Sequence, residues 1–174
     1  MPFDRLFRER PALAAGRALY ARVVDRARDP ALYLDLGCPD TVEGRFELYT
    51  LHLLLVILRL RGEGPEAGEV SQALFDHYLK RLDDALRELG VGDLSVGKKM
   101  RKLGEAFYGR AKAMDAALQA LPDAEALTAL IRRTVYEDVD DSHAPELAAY
   151  LVRQRDALAA NDIAKLTAGE IDWA

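Results

Sequence analysis

The sequence has few of the residues that build disulfide frameworks or metal sites. It contains one cysteine, Cys38, and three histidines, at positions 52, 77 and 143, in 174 residues. A lone cysteine excludes a disulfide framework and a cysteine-based zinc site. Cys38 has no histidine near it in the sequence, so we expect a buried, unreactive thiol rather than a nucleophile. The histidines show no His-x-x-x-His or Glu-x-x-His spacing, and we therefore predict no metal site.

Long hydrophobic runs are also missing. The longest, from Leu48 to Leu58, stops at Arg59 and is well short of the roughly 20 residues that cross a bilayer. It predicts a core helix or an interfacial one. Residues 1–10, MPFDRLFRER, form a basic N-terminal segment with charge where a secretory signal would be apolar. The net charge of -5 argues against a general nucleic-acid binder.

Strand patterns are absent as well, because apolar residues recur every three or four positions along almost the whole chain. This periodicity predicts an all-α single domain over residues 1–174, with about six to seven helices, an irregular aromatic connector (ALYLDLGCPD) and a C-terminal tail. Gly90 is a natural helix stop. The predicted helices run from Pro11 to Asp29, from a capping box at Asp40 and Glu43 to about Leu60, from Ser71 to Leu89, from Ser95 or Gly97 towards Leu121, from Pro122 to about Val135, from Pro145 onwards, and briefly within Ile163–Trp173.

The stretch GDLSVGKK, residues 92–99, differs from a phosphate-binding loop at one position. That loop needs a serine or threonine where Lys99 stands, and it needs a strand before it. Here it joins two predicted helices. We therefore predict a helix-helix connection and no nucleotide binding.

Four cations follow that connection: Lys98, Lys99, Arg101 and Lys102, called the basic patch below. Positive charge at the start of a helix opposes its dipole, at about 0.3 to 1 kcal/mol per exposed residue. Asp93 and Glu105 are candidates to offset it. The patch is either a solvated basic face or a surface for lipid phosphate, RNA or an acidic partner segment.

Gly104 and Gly109 lie inside the same predicted helix, in the segment GEAFYGR. Each costs about 1 kcal/mol relative to alanine there, which predicts close approach of another backbone, and the segment suits either tight packing or a contact surface. In the preceding helix, Asp83 and Arg87 have the spacing of an ion pair. Asp76 and Asp83 are two turns apart, too far to share a proton. No catalytic constellation is present, so we expect a protein that is not an enzyme.

Three segments in order resemble the ubiquinol-cytochrome c chaperone family: CPDTVEGRFELYTLHLLLVILRL, ALFDHYLKRLDDALRELGVGDLSVGKKM and AFYGRAKAMDAAL. The resemblance is strongest over residues 20–121 and weaker over residues 122–174, which hold the C-terminal helices and tail. The family's signature falls on several charged positions and one histidine, namely Asp40, Arg45, His52, Asp76, Asp83, Arg87, Asp93 and Arg110.

The resemblance implies an assembly factor for the respiratory cytochrome bc complex that engages newly made cytochrome b at the membrane surface, without a cofactor of its own. Mitochondrial members carry a long targeting extension, and this chain begins almost at the domain. It is thus similar to the bacterial form, which implies a place in the bacterial cytoplasm, peripheral to the inner membrane. Contact with the ribosome and the need for a second assembly factor are left open.

Residue pattern and resemblance together suggest a mechanism. An apolar groove between the second, third and fourth predicted helices, with Phe75, Tyr78, Phe107 and Tyr108 as candidate walls, shelters a cytochrome b segment. The basic patch holds the protein near anionic lipid or the client's charged loops. The alternative is a small-molecule binder that holds a lipid, quinone or haem, with His52 as a candidate ligand or hydrogen-bond donor.

Overall fold

The protein is all-α, as the sequence predicts. The computed structural model describes residues 10–174, apart from the side chains of residues 93 and 94. In this part of the chain there are eight helices around one hydrophobic core. They are α1 (Pro11–Ala27), α2 (Pro30–Leu34), α3 (Val42–Leu60), α4 (Pro65–Glu88), α5 (Asp93–Gln119), α6 (Glu125–Arg132), α7 (Ala144–Ala160) and α8 (Ile163–Thr167).

One more helix is present than the sequence predicted, because the aromatic connector is partly helical. Asp29 caps α2 by accepting a hydrogen bond from the Ala31 amide at 3.0 Å. Pro30 occupies the first turn, where its fixed φ suits a helix and its missing N–H costs nothing. Residues 31–34 of the connector are helical, and residues 35–40 are irregular, as predicted.

Helix α3 lies at the centre of the molecule and contacts α1, α4, α5 and α7. Its residues from Leu51 to Val56 are all buried, so the long apolar run forms a core helix. The predicted Asp40 cap was wrong: Thr41 accepts the capping hydrogen bond from the Gly44 amide at 3.1 Å. Asp40 instead accepts a hydrogen bond from Arg45 at 2.6 Å. None of the helices in residues 10–174 is long and apolar enough to span a membrane.

Helices α4 and α5 form a long hairpin. Helix α4 begins six residues earlier than predicted, because Gly64 adopts a φ of +101° and Pro65 starts the first turn. Gly90 ends the hairpin's first arm as expected: its φ is +79°, and the Val91 amide bonds to the Leu86 carbonyl at 3.1 Å. These bonds are those of a Schellman motif.

Close backbone approach occurs at glycines other than those predicted. A Cβ on Gly104 or Gly109 would meet nothing within 4 Å, so that prediction was wrong. Gly16 of α1 instead packs on the α4 backbone, where a Cβ would lie 2.7 Å from the Leu74 amide nitrogen. A Cβ on Gly44 would lie 2.2 Å from the Pro39 carbonyl oxygen. These glycines let α1 pack against α4 and let the connector close onto α3.

Replacing Gly16 with alanine should destabilise the protein by about 1 to 3 kcal/mol, because backbone atoms of α4 must move to admit the methyl group. The free energy of unfolding in urea measures this. Gly104→Ala is the matched control, since its methyl group meets open space and alanine favours a helix by about 1 kcal/mol. Equal stability of the two variants would contradict this account of the α1–α4 contact.

The C-terminal residues form a short helix and a docked tail, as predicted. Asn161 links α7 to this tail. Its side-chain Nδ2 donates to the Asp172 carbonyl at 2.9 Å, and its side-chain Oδ1 accepts from the Asp172 backbone amide at 2.9 Å. Further on, the Ala174 amide donates to the Gln154 side chain at 3.1 Å. These bonds place the Trp173 ring against His52, with 5.8 Å between ring centroids.

Candidate functional site

The four aromatic residues predicted as groove walls come together where α4 packs on α5. Phe75 lies at the centre of this aromatic cluster, with its ring centroid 4.8 Å from Phe107, 6.2 Å from Tyr108 and 6.5 Å from Tyr78. Such distances fall in the range of favourable ring pairs. Exposure decreases inwards, because Tyr108 is 66% exposed while Phe107 is 5% and Tyr78 is 2% exposed.

An open groove of about 350 Å³ lies beside this cluster, between the end of α3, the first half of α4 and the middle of α5. We call it the aromatic groove. Ile57 and Leu60 of α3 form its apolar floor, and Phe75, Phe107 and Tyr108 form one wall. Gly68 lies on the α4 side, where the space that a Cβ would enter is empty. The groove can therefore receive an apolar side chain or a short helical surface.

A buried ion pair beneath the cluster fixes α5 to α3. Arg110 donates through both Nε and Nη2 to the two carboxylate oxygens of Glu47, and the Nε bond is 2.7 Å long. The Glu47 side chain is only 9% exposed. Burial raises the pKa of Glu47, and the guanidinium of Arg110 works against that rise. The family signature includes Arg110. No local pattern indicated Glu47 as its partner, because the two residues are 63 positions apart in the sequence.

A second buried polar contact supports the same region. Thr50 donates to the Phe46 carbonyl at 2.9 Å, and therefore accepts from the Tyr78 hydroxyl, also at 2.9 Å. Burial raises the pKa of Tyr78 above its usual range, so this hydroxyl stays protonated. Tyr78 thus supports the groove from behind.

The basic patch lies on the outer face of α5. All four of its side chains are exposed, and none forms an ion pair or a hydrogen bond with another described residue. Because α5 begins at Asp93, the cations occupy the second and third turns rather than the first. The expected conflict with the helix dipole is therefore small, since that field decays within the first turn. The Asp93 side chain, expected to offset them, lies outside the described residues.

The remaining signature positions are spread over the molecule. Arg45 and Asp40 form an exposed pair, Asp76 accepts from Gln72 at 2.7 Å, and Asp83 accepts from Arg87 at 2.6 Å, as the spacing predicted. The structure does not bring these positions into one site. The described side chains among them share a local contact within or next to one helix.

His52 is a core histidine whose two ring nitrogens are both engaged. The Leu48 carbonyl, 2.7 Å from Nδ1, can only accept, so Nδ1 carries the proton and Nε2 accepts from the Tyr150 hydroxyl at 2.8 Å. Burial lowers the pKa of His52 to about 4. The ring is fully buried and neutral, which leaves no free nitrogen for a ligand.

The structure also shows the surroundings of His77 and of Cys38. His77 packs edge-on against Tyr20, with ring centroids 4.9 Å apart. Within the described residues, no three His, Cys, Asp or Glu side chains are grouped so that they could hold a metal ion. Cys38 is buried, as predicted, and burial raises the pKa of its thiol.

Sequence analysis missed a larger cleft of about 890 Å³ between the ends of α3 and α5 and helix α7. Leu58, Leu118 and Val152 line its apolar floor. Arg61 lines the cleft and donates two hydrogen bonds of 2.8 Å to the Asp115 carboxylate. These residues come from three distant parts of the chain, so no local pattern could have indicated the cleft.

These features define a class: an all-helical protein with open apolar grooves, an exposed basic surface and polar groups that serve packing. Comparison with known proteins gives the family. The protein-family model described as ubiquinol-cytochrome C chaperone matches residues 34–173. The chain therefore belongs to this family. The match extends through α7 and α8, beyond the region where the resemblance was expected to be strongest.

Relatives agree with this assignment. The chain is 38% identical to the Cbp3 homolog from Brucella abortus, whose crystal structure it matches with a TM-score of 0.86 over 94% of this chain and 91% of that one. It is 23% identical to ubiquinol-cytochrome-c reductase complex assembly factor 1 of Xenopus laevis, over 91% of this chain and 80% of that protein. The mouse protein of the same description is 24% identical over 91% of this chain, which spans only 54% of the mouse protein.

Proposed function

We propose that this protein is an assembly chaperone for the respiratory cytochrome bc complex, and that it binds newly made cytochrome b. Membership of the chaperone family and the assembly factors among its relatives support the role. The bacterial cytoplasm beside the inner membrane is the proposed location, which fits the 38% identity to a bacterial protein.

The aromatic groove is the observation that supports binding of cytochrome b. Membrane helices expose apolar side chains that need cover before they pack with their partners. The groove offers an apolar floor and a rigid aromatic wall, and Tyr108 stands exposed at its rim. A segment of cytochrome b lies in this groove, and the basic patch contacts anionic lipid or charged loops of the client.

Deletion of the gene tests the role. We expect a selective loss of haem b absorbance in reduced-minus-oxidised spectra and of ubiquinol-cytochrome c reductase turnover, both restored by the intact gene. Normal levels of complex in the deletion strain would contradict the assembly role.

Filling the aromatic groove with a large side chain tests whether the client binds there. In Gly68→Phe the new Cβ meets nothing within 4 Å and the backbone is helical, so the protein should fold and gain about 0.5 kcal/mol of helix propensity. We expect the groove to be blocked, with reductase turnover close to that of the deletion strain and little cytochrome b recovered with the tagged protein.

Gly109→Phe is the matched control, because Gly109 is also helical, also has open space at its Cβ, and lies outside the groove. It should restore the complex fully. If Gly68→Phe is folded and equally active, the client does not bind in the aromatic groove.

The larger cleft favours a second candidate function, the binding or delivery of a lipid or quinone. Its volume of about 890 Å³ lies within the range of small-molecule sites, about 300 to 1,000 Å³. Haem ligation by His52 has no such support, since both ring nitrogens are engaged. Mass spectrometry of an organic extract of the purified protein would find the ligand, and an extract without one would count against this candidate.

A further inference from the structure

The end of the α4–α5 hairpin extends past the main core of the protein. Past Tyr78, no residue of α4 is fully buried. Val96 of α5 is 2% exposed, yet it does not belong to the main core cluster. Between Leu82 and Phe107, no described hydrophobic residue of the hairpin packs against that cluster, so the hairpin end extends past the main core.

An apolar residue is held exposed at the turn of this hairpin. Leu89 is 67% exposed and lies directly before Gly90. The amides of Leu89, Gly90 and Val91 all bond to carbonyls of α4, at 2.9 to 3.1 Å. The turn is therefore fixed by backbone hydrogen bonds, and Leu89 points outwards because of that geometry.

The basic patch follows the turn at a short distance. Helical rise places Lys98 about 8 Å and Lys102 about 14 Å along α5 from its first residue. Residues 80–105 carry seven basic and five acidic side chains, whereas the whole chain has a net charge of -5. The neighbouring acids Asp83 and Asp84 are already paired with Arg87 and Arg81.

We propose that the hairpin end is a membrane-docking wedge, in which Leu89 enters the headgroup layer of an anionic bilayer and the basic patch contacts lipid phosphates. Interfacial binding combines apolar insertion of about 5 to 10 Å with cations at headgroup level, and this arrangement of Leu89 and the lysines matches it. A nucleic acid would use the cations but would gain nothing from the exposed leucine. The inference refines the surface role of the basic patch in the proposed function, and it does not depend on cytochrome b.

Sedimentation of the purified protein with vesicles tests the wedge. We expect binding to phosphatidylcholine vesicles that contain phosphatidylglycerol, and little binding to phosphatidylcholine alone. Each basic residue near an anionic surface strengthens binding about fivefold, so a Lys98→Glu/Lys99→Glu/Arg101→Glu/Lys102→Glu variant should lose affinity about a hundredfold or more. Leu89→Ser should weaken binding about tenfold.

Matched controls distinguish an effect of the wedge on vesicle binding from an effect of net charge or of exposed apolar residues elsewhere. Arg10, Arg22, Lys112 and Arg133 are exposed cations away from the turn, and their joint replacement by glutamate changes the net charge equally. Leu34→Ser removes a leucine that is 82% exposed on α2. Both controls should bind like the wild type, and circular dichroism should give the same helix content for all variants.

A direct probe of insertion completes the test. Cys38 is buried, so an environment-sensitive dye attached to Leu89→Cys reports on the turn alone. We expect a blue shift on anionic vesicles, and none for dye on Leu34→Cys. Equal loss of binding in both charge-reversed variants, unchanged binding of Leu89→Ser, or an unshifted dye at position 89 would each overturn the wedge. Because no cytochrome b is present, such a failure would leave the assembly role standing.

Discussion

Replacing Arg110 with alanine is expected to destabilise the protein by about 3 to 5 kcal/mol, the usual cost of removing one partner of a buried ion pair. The loss should be this large because Glu47 has a side chain only 9% exposed and would keep a buried carboxylate without its guanidinium partner. Burial already raises the pKa of Glu47. Urea unfolding, followed by circular dichroism, measures the change.

Two controls make this result specific. Arg81→Ala removes a partner from the exposed pair with Asp84, and such pairs contribute less than about 1 kcal/mol. Replacing both buried charges, as Glu47→Leu with Arg110→Met, should recover most of the lost stability, because the desolvated carboxylate is gone. If Arg110→Ala costs no more than Arg81→Ala, the pair does not hold α5 to α3.

Acidification should destabilise the protein through His52. The pKa of this buried ring is about 4, compared with 6.5 for an unperturbed histidine. Between these values the unfolded chain binds a proton that the folded protein excludes, so stability falls as the pH decreases from about 6.5 to about 4. At about 1.4 kcal/mol per pKa unit, the loss attributable to His52 approaches 3 kcal/mol.

Comparison with a His52→Gln variant isolates this effect, since other titrating groups are common to both proteins. The unfolding free energy of the variant should depend less steeply on pH over that interval, although the variant is less stable overall. NMR gives an independent check, because the His52 ring signals should stay those of the Nδ1–H neutral form down to about pH 5. Parallel pH profiles for the two proteins would contradict the neutral core histidine.

Local sequence patterns predicted most of the helices. Periodicity identified α1, α3 and α7, and Gly90 correctly marked the end of α4. The start of α4 was missed because GEGPEAGE looks like a break, although proline is favoured in the first turn of a helix. Asp29 and Pro30, just before the connector, form the cap and first turn of α2, but in the sequence they indicated only the end of α1.

Contacts between distant residues could not be read from the sequence. The Arg110–Glu47 and Arg61–Asp115 pairs join residues 63 and 54 positions apart. The backbone contact at Gly16 likewise depends on how α1 packs against α4, a property of the whole fold. Gly104 and Gly109, chosen because glycine is costly inside a helix, proved to face open space.

The candidate site was predicted in part. Of the four predicted wall residues, Phe75, Phe107 and Tyr108 line the groove, whereas Tyr78 lies outside its lining. Gly68 and Ile57, which complete the groove, carried no signal of their own. The use of this groove by a client stays a prediction.

The docked tail affects when the protein can finish folding during synthesis. The Trp173 ring covers His52, a residue made 121 positions earlier. A nascent chain therefore cannot complete the packing around His52 until Trp173 has left the ribosomal tunnel, even though α1 to α4 emerge much earlier and can already pair. Packing around His52 is thus completed late in synthesis, and the incomplete chain exposes apolar surface until then.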